Sequence, residues 1–160
     1  MVAVLILCLA FSAPARAADD AAFSDVEECE MNLLYVGAGA TMVLPGGGAD
    51  LRRLGGASAR CGWYFAEFWA AEAEISSLEN YAGLSADVLW HWWGYERFDP
   101  FFTFGASGWI DGEVGPTIGW GTFWHFNDYW SLRFDADATY GLDDADEMVY
   151  SVSLGVQCSF

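Results

Sequence analysis

From Tyr150 to Phe160 the chain reads Tyr-Ser-Val-Ser-Leu-Gly-Val-Gln-Cys-Ser-Phe. Tyr150, Val152, Leu154, Val156, Cys158 and Phe160 are apolar or aromatic, and the residues between them are small or polar. Successive side chains of a strand point to opposite faces, so this run has one apolar face and one polar face. A soluble sheet blunts its edge strands with charge or Pro, and this run has neither. A strand of this kind is expected to close a barrel, with its apolar face turned outward.

The same two-residue rhythm recurs from Asn32 onward, divided by turn signals. It predicts eight strands, at about 32–44, 54–64, 69–77, 82–92, 98–108, 114–126, 130–140 and 150–160. Each is near the 9 to 11 residues that a tilted strand needs to cross a bilayer. An even number of antiparallel strands joined by hairpins leaves no edge, as a membrane requires. Periodicity of 3.6 residues does not compete anywhere, and nine Trp with eighteen Gly suit a helical bundle poorly. The predicted class is therefore all-β, an eight-stranded antiparallel up-and-down transmembrane barrel.

The choice between this and a soluble sandwich falls to the aromatics. With the N-terminus in the periplasm, the inner turns fall at about 65–68, 93–97 and 127–129. Trp63, Tyr64, Phe65, Phe68, Trp69, Trp90, Trp92, Trp93, Tyr95, Phe98, Trp124, Phe126, Tyr129, Trp130 and Phe160 gather there. Tyr81, Trp109, Tyr140 and Tyr150 mark the other rim. Trp and Tyr favour the headgroup level, where an apolar ring and a polar tip both find partners. A sandwich has no reason to collect them at alternate connections.

Residues 1–17 read as a cleaved signal peptide, with an apolar core from Val2 to Phe11 and Ala15-Arg16-Ala17 before the cut. Its usual basic start is missing, and Leu5-Ile6-Leu7 before Cys8 lacks the small residues of a lipid-attachment site. Residues 18–31 form an acidic leader, and 32–160 the barrel. Export leaves Cys29, Cys61 and Cys158, an odd number. Cys29 could meet Cys61 or Cys158 in an oxidising periplasm, or all three could be small apolar fillers. Six Lys and Arg against 23 Asp and Glu, a net charge of −17, argue against nucleic acid as a partner.

Phe101-Phe102-Thr103-Phe104-Gly105-Ala106-Ser107-Gly108, then Gly119-Trp120-Gly121-Thr122-Phe123, then Asn127-Asp128-Tyr129 and Trp130-Ser131-Leu132-Arg133-Phe134-Asp135-Ala136 carry a resemblance. They resemble the second half of the small opacity-type outer-membrane barrels, a family similar to the OmpA membrane domain and OmpX. The resemblance spans about 32–160 and is strongest from Pro100. It implies a monomer in the bacterial outer membrane, in contact with lipids and lipopolysaccharide. It also implies insertion by the outer-membrane assembly machinery, which reads a terminal aromatic strand. Tyr150, Val152, Leu154, Val156 and Phe160 fit that signal, and Cys158 is its atypical member. The outer connections are short beside those of adhesion-type members, which weakens any expectation of receptor binding.

On the inward face the alternation collects Arg60, Glu72, Glu74, Asp87, Arg133, Asp135 and Asp137. Hairpin folding is expected to set Arg60 opposite Glu72 and Glu72 opposite Asp87. An eight-stranded barrel is just wide enough for side chains to fill it, so opposite charges should pair there. The result is either a structural plug, which the narrow bore favours, or a narrow ion path gated by a switchable pair. Two arginines face five carboxylates, so some carboxylates must be hydrated or protonated.

A third role, lipid A hydrolysis, is read at His125. Barrels of that kind place His and Ser two residues apart, and here Asn127 stands at the second position. No catalytic set is predicted, and no cofactor or metal is implied. Asp143-Asp144-Ala145-Asp146-Glu147 lacks the spacing and Gly of an EF-hand and reads as a solvated loop. The expected role is structural, in envelope integrity, with a plugged or weakly conducting lumen.

Overall fold

The computed structural model describes residues 34–45, 54–79, 81–92, 97–110, 114–141 and 148–160. The predicted signal peptide, the acidic leader with Cys29, and the 143–147 run lie outside them. Eight strands follow in order: β1 (Leu34–Pro45), β2 (Leu54–Ala66), β3 (Trp69–Leu78), β4 (Tyr81–His91), β5 (Phe98–Trp109), β6 (Val114–His125), β7 (Trp130–Tyr140) and β8 (Met148–Ser159). Each pairs antiparallel with its neighbours, and β8 returns to β1, closing the barrel. Strand ends differ from the sequence-based bounds by one or two residues at most positions. The eighth strand starts at Met148 rather than Tyr150 because Met148 pairs with Tyr140.

Proline placement follows from its missing N–H. Pro45 pairs with Val149 of β8 but stands beyond the β1–β2 ladder, which ends at Val43 and Leu54. Pro100 stands beyond the β4–β5 ladder and Pro116 beyond the β6–β7 ladder. Each therefore sits where one flank asks for no donor.

The β2–β3 register corrects one expected pairing. A two-residue turn at Glu67 and Phe68 with Ala66 opposite Trp69 would by itself set Arg60 against Ile75, the wrong face. A bulge between Tyr64 and Ala66 shifts the pairing by one residue and restores the alternation. Arg60 is thereby opposite Glu74, not Glu72, and Gly62 is opposite Glu72. Glu72 is opposite Asp87, as the sequence reading has it.

The barrel's buried core is its lumen. Tyr35, Tyr64, Ala70, Leu89, Phe101 and Phe123 form one cluster there. This corrects the rim assignment of Tyr64, which is 2% exposed and points inward. Trp109 likewise lines the lumen mouth instead of standing on the outer rim. Both residues share the phase of the inward positions on their strands, and the pleat carries them inside. The outer wall is apolar, with Met42, Ile75, Leu84, Phe104, Ile118 and Leu154 exposed. Trp63, Trp69, Trp90, Trp92, Trp124, Tyr129 and Trp130 are exposed near the Glu67–Phe68 end. Trp93 and Tyr95, assigned to the same rim, lie outside the described residues.

Candidate functional site

The lumen has three levels. At the end that carries the Glu67–Phe68 turn, His91 Nδ1 meets Asp99 Oδ2 at 2.6 Å, both side chains buried. Above them an aromatic chain crosses the bore. Tyr35 and Tyr64 have ring centroids 5.5 Å apart, and Tyr64 lies 5.1 Å from His91. His91 stacks on Phe123 at 5.8 Å and 10°, and Phe123 stacks on Phe101 at 4.8 Å. The Tyr35 ring occupies the space that a side chain at residue 62 would need, so glycine at that position lets the ring cross the bore.

The middle level is ionic. The Arg133 guanidinium lies over Phe101 and Phe123, 4.9 and 5.2 Å from the ring centroids. It donates from Nε to Asp135 Oδ1 at 2.6 Å and from NH1 to Glu72 Oε2. Tyr35 donates its hydroxyl to the same Glu72 oxygen at 2.7 Å. The aromatic chain and the ion pairs thus form one circuit, from Tyr35 through the rings to Arg133 and back through Glu72. Arg60 adds the second cation, bridging Glu74 at 2.7 Å and Asp135 at 2.8 Å.

The sequence-derived inward set therefore divides. Arg60, Glu72, Glu74, Arg133 and Asp135 meet in one network. Asp87 and Asp137 do not join it: Asp87 accepts from Ser85 at 2.6 Å, and neither carboxylate is ion-paired among the described residues. Both line a third level, a cup of about 120 Å³ that reaches toward Trp109, Gly115 and Gly141 at the opposite end.

Tyr35, Leu89, Phe101 and Phe123 are not among the inward residues expected from sequence. Their signal is phase: Tyr35 shares its alternate positions with buried Thr41, Leu89 with inward Asp87, Phe101 with Thr103 and Phe123 with Thr117. In β5 and β6, bulky aromatics on both faces hide that phase.

Cys61 and Cys158 both stand opposite Val36, on the two strands that flank β1. Two strand spacings separate them by about 9.6 Å, beyond disulfide reach. Both are free thiols. Tyr150, Val152, Leu154 and Val156 alternate along β8 against inward Ser153 and Gln157, and Phe160 donates its backbone N–H to Leu34. Asn127, two residues after His125, uses its side-chain oxygen to accept the backbone N–H groups of Tyr129 and Trp130 and fixes the turn. Among the described residues no cluster of His, Cys, Asp or Glu is arranged to hold a metal ion.

No family model and no curated protein sequence matches the chain. Solved structures do. The N-terminal β-barrel domain of Pseudomonas aeruginosa OprF is similar, with a TM-score of 0.61 at 17% identity, covering 79% of this chain and 97% of that one. P. aeruginosa OprG is similar at 0.60 and 12% identity, over 79% and 95%. A de novo designed transmembrane β-barrel reaches 0.64 at 11% identity, over 84% and 100%. The designed barrel shares the architecture without shared ancestry, so what these likenesses carry is the fold. The chain is an eight-stranded, all-antiparallel closed β-barrel with the fold of the small OmpA- and OmpX-type outer-membrane barrels.

Proposed function

We propose that the protein is a monomeric outer-membrane barrel that serves envelope integrity and has a closed lumen. The observation that carries this reading is the circuit of Tyr35, Tyr64, His91, Phe123, Phe101, Arg133 and Glu72, which spans the bore with buried rings and charges. A hydrated ion has no continuous polar path across stacked rings. The turn end, with its exposed Trp, faces the periplasm, and the cup faces outward. Lipids and lipopolysaccharide meet the apolar wall. The outer-membrane assembly machinery reads the β8 residues Tyr150, Val152, Leu154, Val156 and Phe160.

Planar-bilayer recording tests the closed lumen. The expected result is no steady unitary conductance in the native protein. Steady currents abolished by Glu72→Ala would overturn the plug and favour the gated path.

The membrane face has its own test. Ile118 is 54% exposed near mid-height of β6. On a soluble protein, Ile118→Arg should change stability by no more than about 0.5 kcal/mol. Facing lipid near the midplane, it should cost about 2–4 kcal/mol. Reversible denaturant unfolding in phospholipid vesicles distinguishes the two.

A further inference from the structure

Among the described residues, the cup holds three buried side-chain oxygens without hydrogen-bond partners: Asp87 Oδ1, Asp137 Oδ1 and Thr103 Oγ1. Thr103 is 3% exposed and lines the cavity. An unsatisfied buried acceptor of this kind is costly, and three in one cavity ask for a common donor. Six other lumen hydroxyls are already engaged. Ser107, Thr117 and Thr139 bond one another at 2.7 to 2.9 Å, and Thr41 lies 3.1 Å from both Ser58 and Ser153.

Two glycines bring the free oxygens together. The Asp87 carboxylate lies across β5 over Gly105, and the Asp137 carboxylate lies across β6 over Gly119. A side chain at either glycine would meet the carboxylate oxygen directly. Thr103 pairs across the ladder with Gly119 and stands two residues from Gly105. The three acceptors therefore converge over the β5–β6 hairpin from strands β4, β5 and β7.

We propose that this cup is a binding site for a primary ammonium group. An ammonium carries one positive charge and three N–H donors, matching three open acceptors of which two belong to carboxylates outside the ion-pair network. Calcium takes six to eight oxygens and magnesium a near-ideal octahedron, and among the described residues no cluster of His, Cys, Asp or Glu is arranged to hold either. The cavity extends toward Trp109 and Gly115, so a short amine would sit with its ammonium head at the carboxylates and its tail in that direction.

The test uses the folded, isotope-labelled barrel in detergent micelles, titrated with methylammonium chloride. Tetramethylammonium chloride, with the same charge and no N–H donor, and potassium chloride are run at equal ionic strength. The expected result is saturable shifts of the Thr103, Gly105 and Gly119 amide signals with methylammonium alone. Asp137→Asn should weaken binding about tenfold or more, and Thr103→Val roughly threefold to tenfold. Equal shifts with tetramethylammonium or potassium, no saturable shift, or unchanged binding in Asp137→Asn would overturn the site. Heat-modifiable gel mobility checks that each variant is folded, and Asp87→Asn replaces any that is not. The titration does not depend on the closed lumen or on the bilayer, so a conducting barrel would leave its outcome readable.

Discussion

Arg133→Ala is expected to destabilise the barrel by about 3–5 kcal/mol, the usual cost of removing one partner from a buried ion pair. The size follows from what is left behind. Glu72 keeps only the Tyr35 hydroxyl, and Asp135 keeps only Arg60. The rings of Phe101 and Phe123 lose the cation that lies over them. Denaturant unfolding in vesicles gives the number. A double-mutant cycle then separates the pair from the truncation. Glu72→Gln combined with Arg133→Ala should cost clearly less than the two single changes added, because no unpaired carboxylate remains at that position. Additive costs would mean that Glu72 and Arg133 do not sense each other, and the circuit would lose its central bond. Conductance should stay closed in Arg133→Ala, since the aromatic chain below still spans the bore.

Phe123→Ala is expected to cost about 3–5 kcal/mol, as for large-to-small changes at fully buried aromatic positions. Phe123 is 0% exposed and touches three members of the floor: it stacks on Phe101 and His91 and lies beneath Arg133. The surrounding backbone is a closed ladder and cannot collapse into the hole, which favours the upper part of that range. Trp124, its sequence neighbour, points to the opposite face and is half exposed, so its truncation leaves the floor untouched. The diagnostic result is a large loss of stability in Phe123→Ala with the gel mobility of a folded barrel retained. A loss below about 1 kcal/mol would show that the rings do not form a packed floor.

Strand number, strand phase and the inward charges were legible because a two-residue period needs no partner to be read. The alternation in β3, with Glu72 and Glu74 against Trp69, Ala71, Ala73 and Ile75, is sufficient by itself to sort faces. The β7 alternation, with Arg133, Asp135 and Asp137 against Leu132, Phe134 and Ala136, does the same. The Arg60 partner was not legible. It depends on one bulged residue between Tyr64 and Ala66, and bulges leave no periodic trace in a short segment. Tyr64 and Trp109 lie near a rim in sequence, but phase decides which side of the wall a ring occupies, and both share the phase of the inward positions.

The amino-acid sequence alone determines that this chain makes eight strands with an apolar outer face and charges inside, because a pleated strand shows its sidedness residue by residue. Only the tertiary structure decides what the inside does. Closure brings residues from non-adjacent strands into one narrow bore, so Arg133 meets Glu72 of β3 and Arg60 meets Asp135 of β7. The same closure stacks the rings into a floor and, among the described residues, leaves Asp87 Oδ1, Asp137 Oδ1 and Thr103 Oγ1 without hydrogen-bond partners above it. These relations depend on the register of eight pairings at once, and no single segment encodes that register.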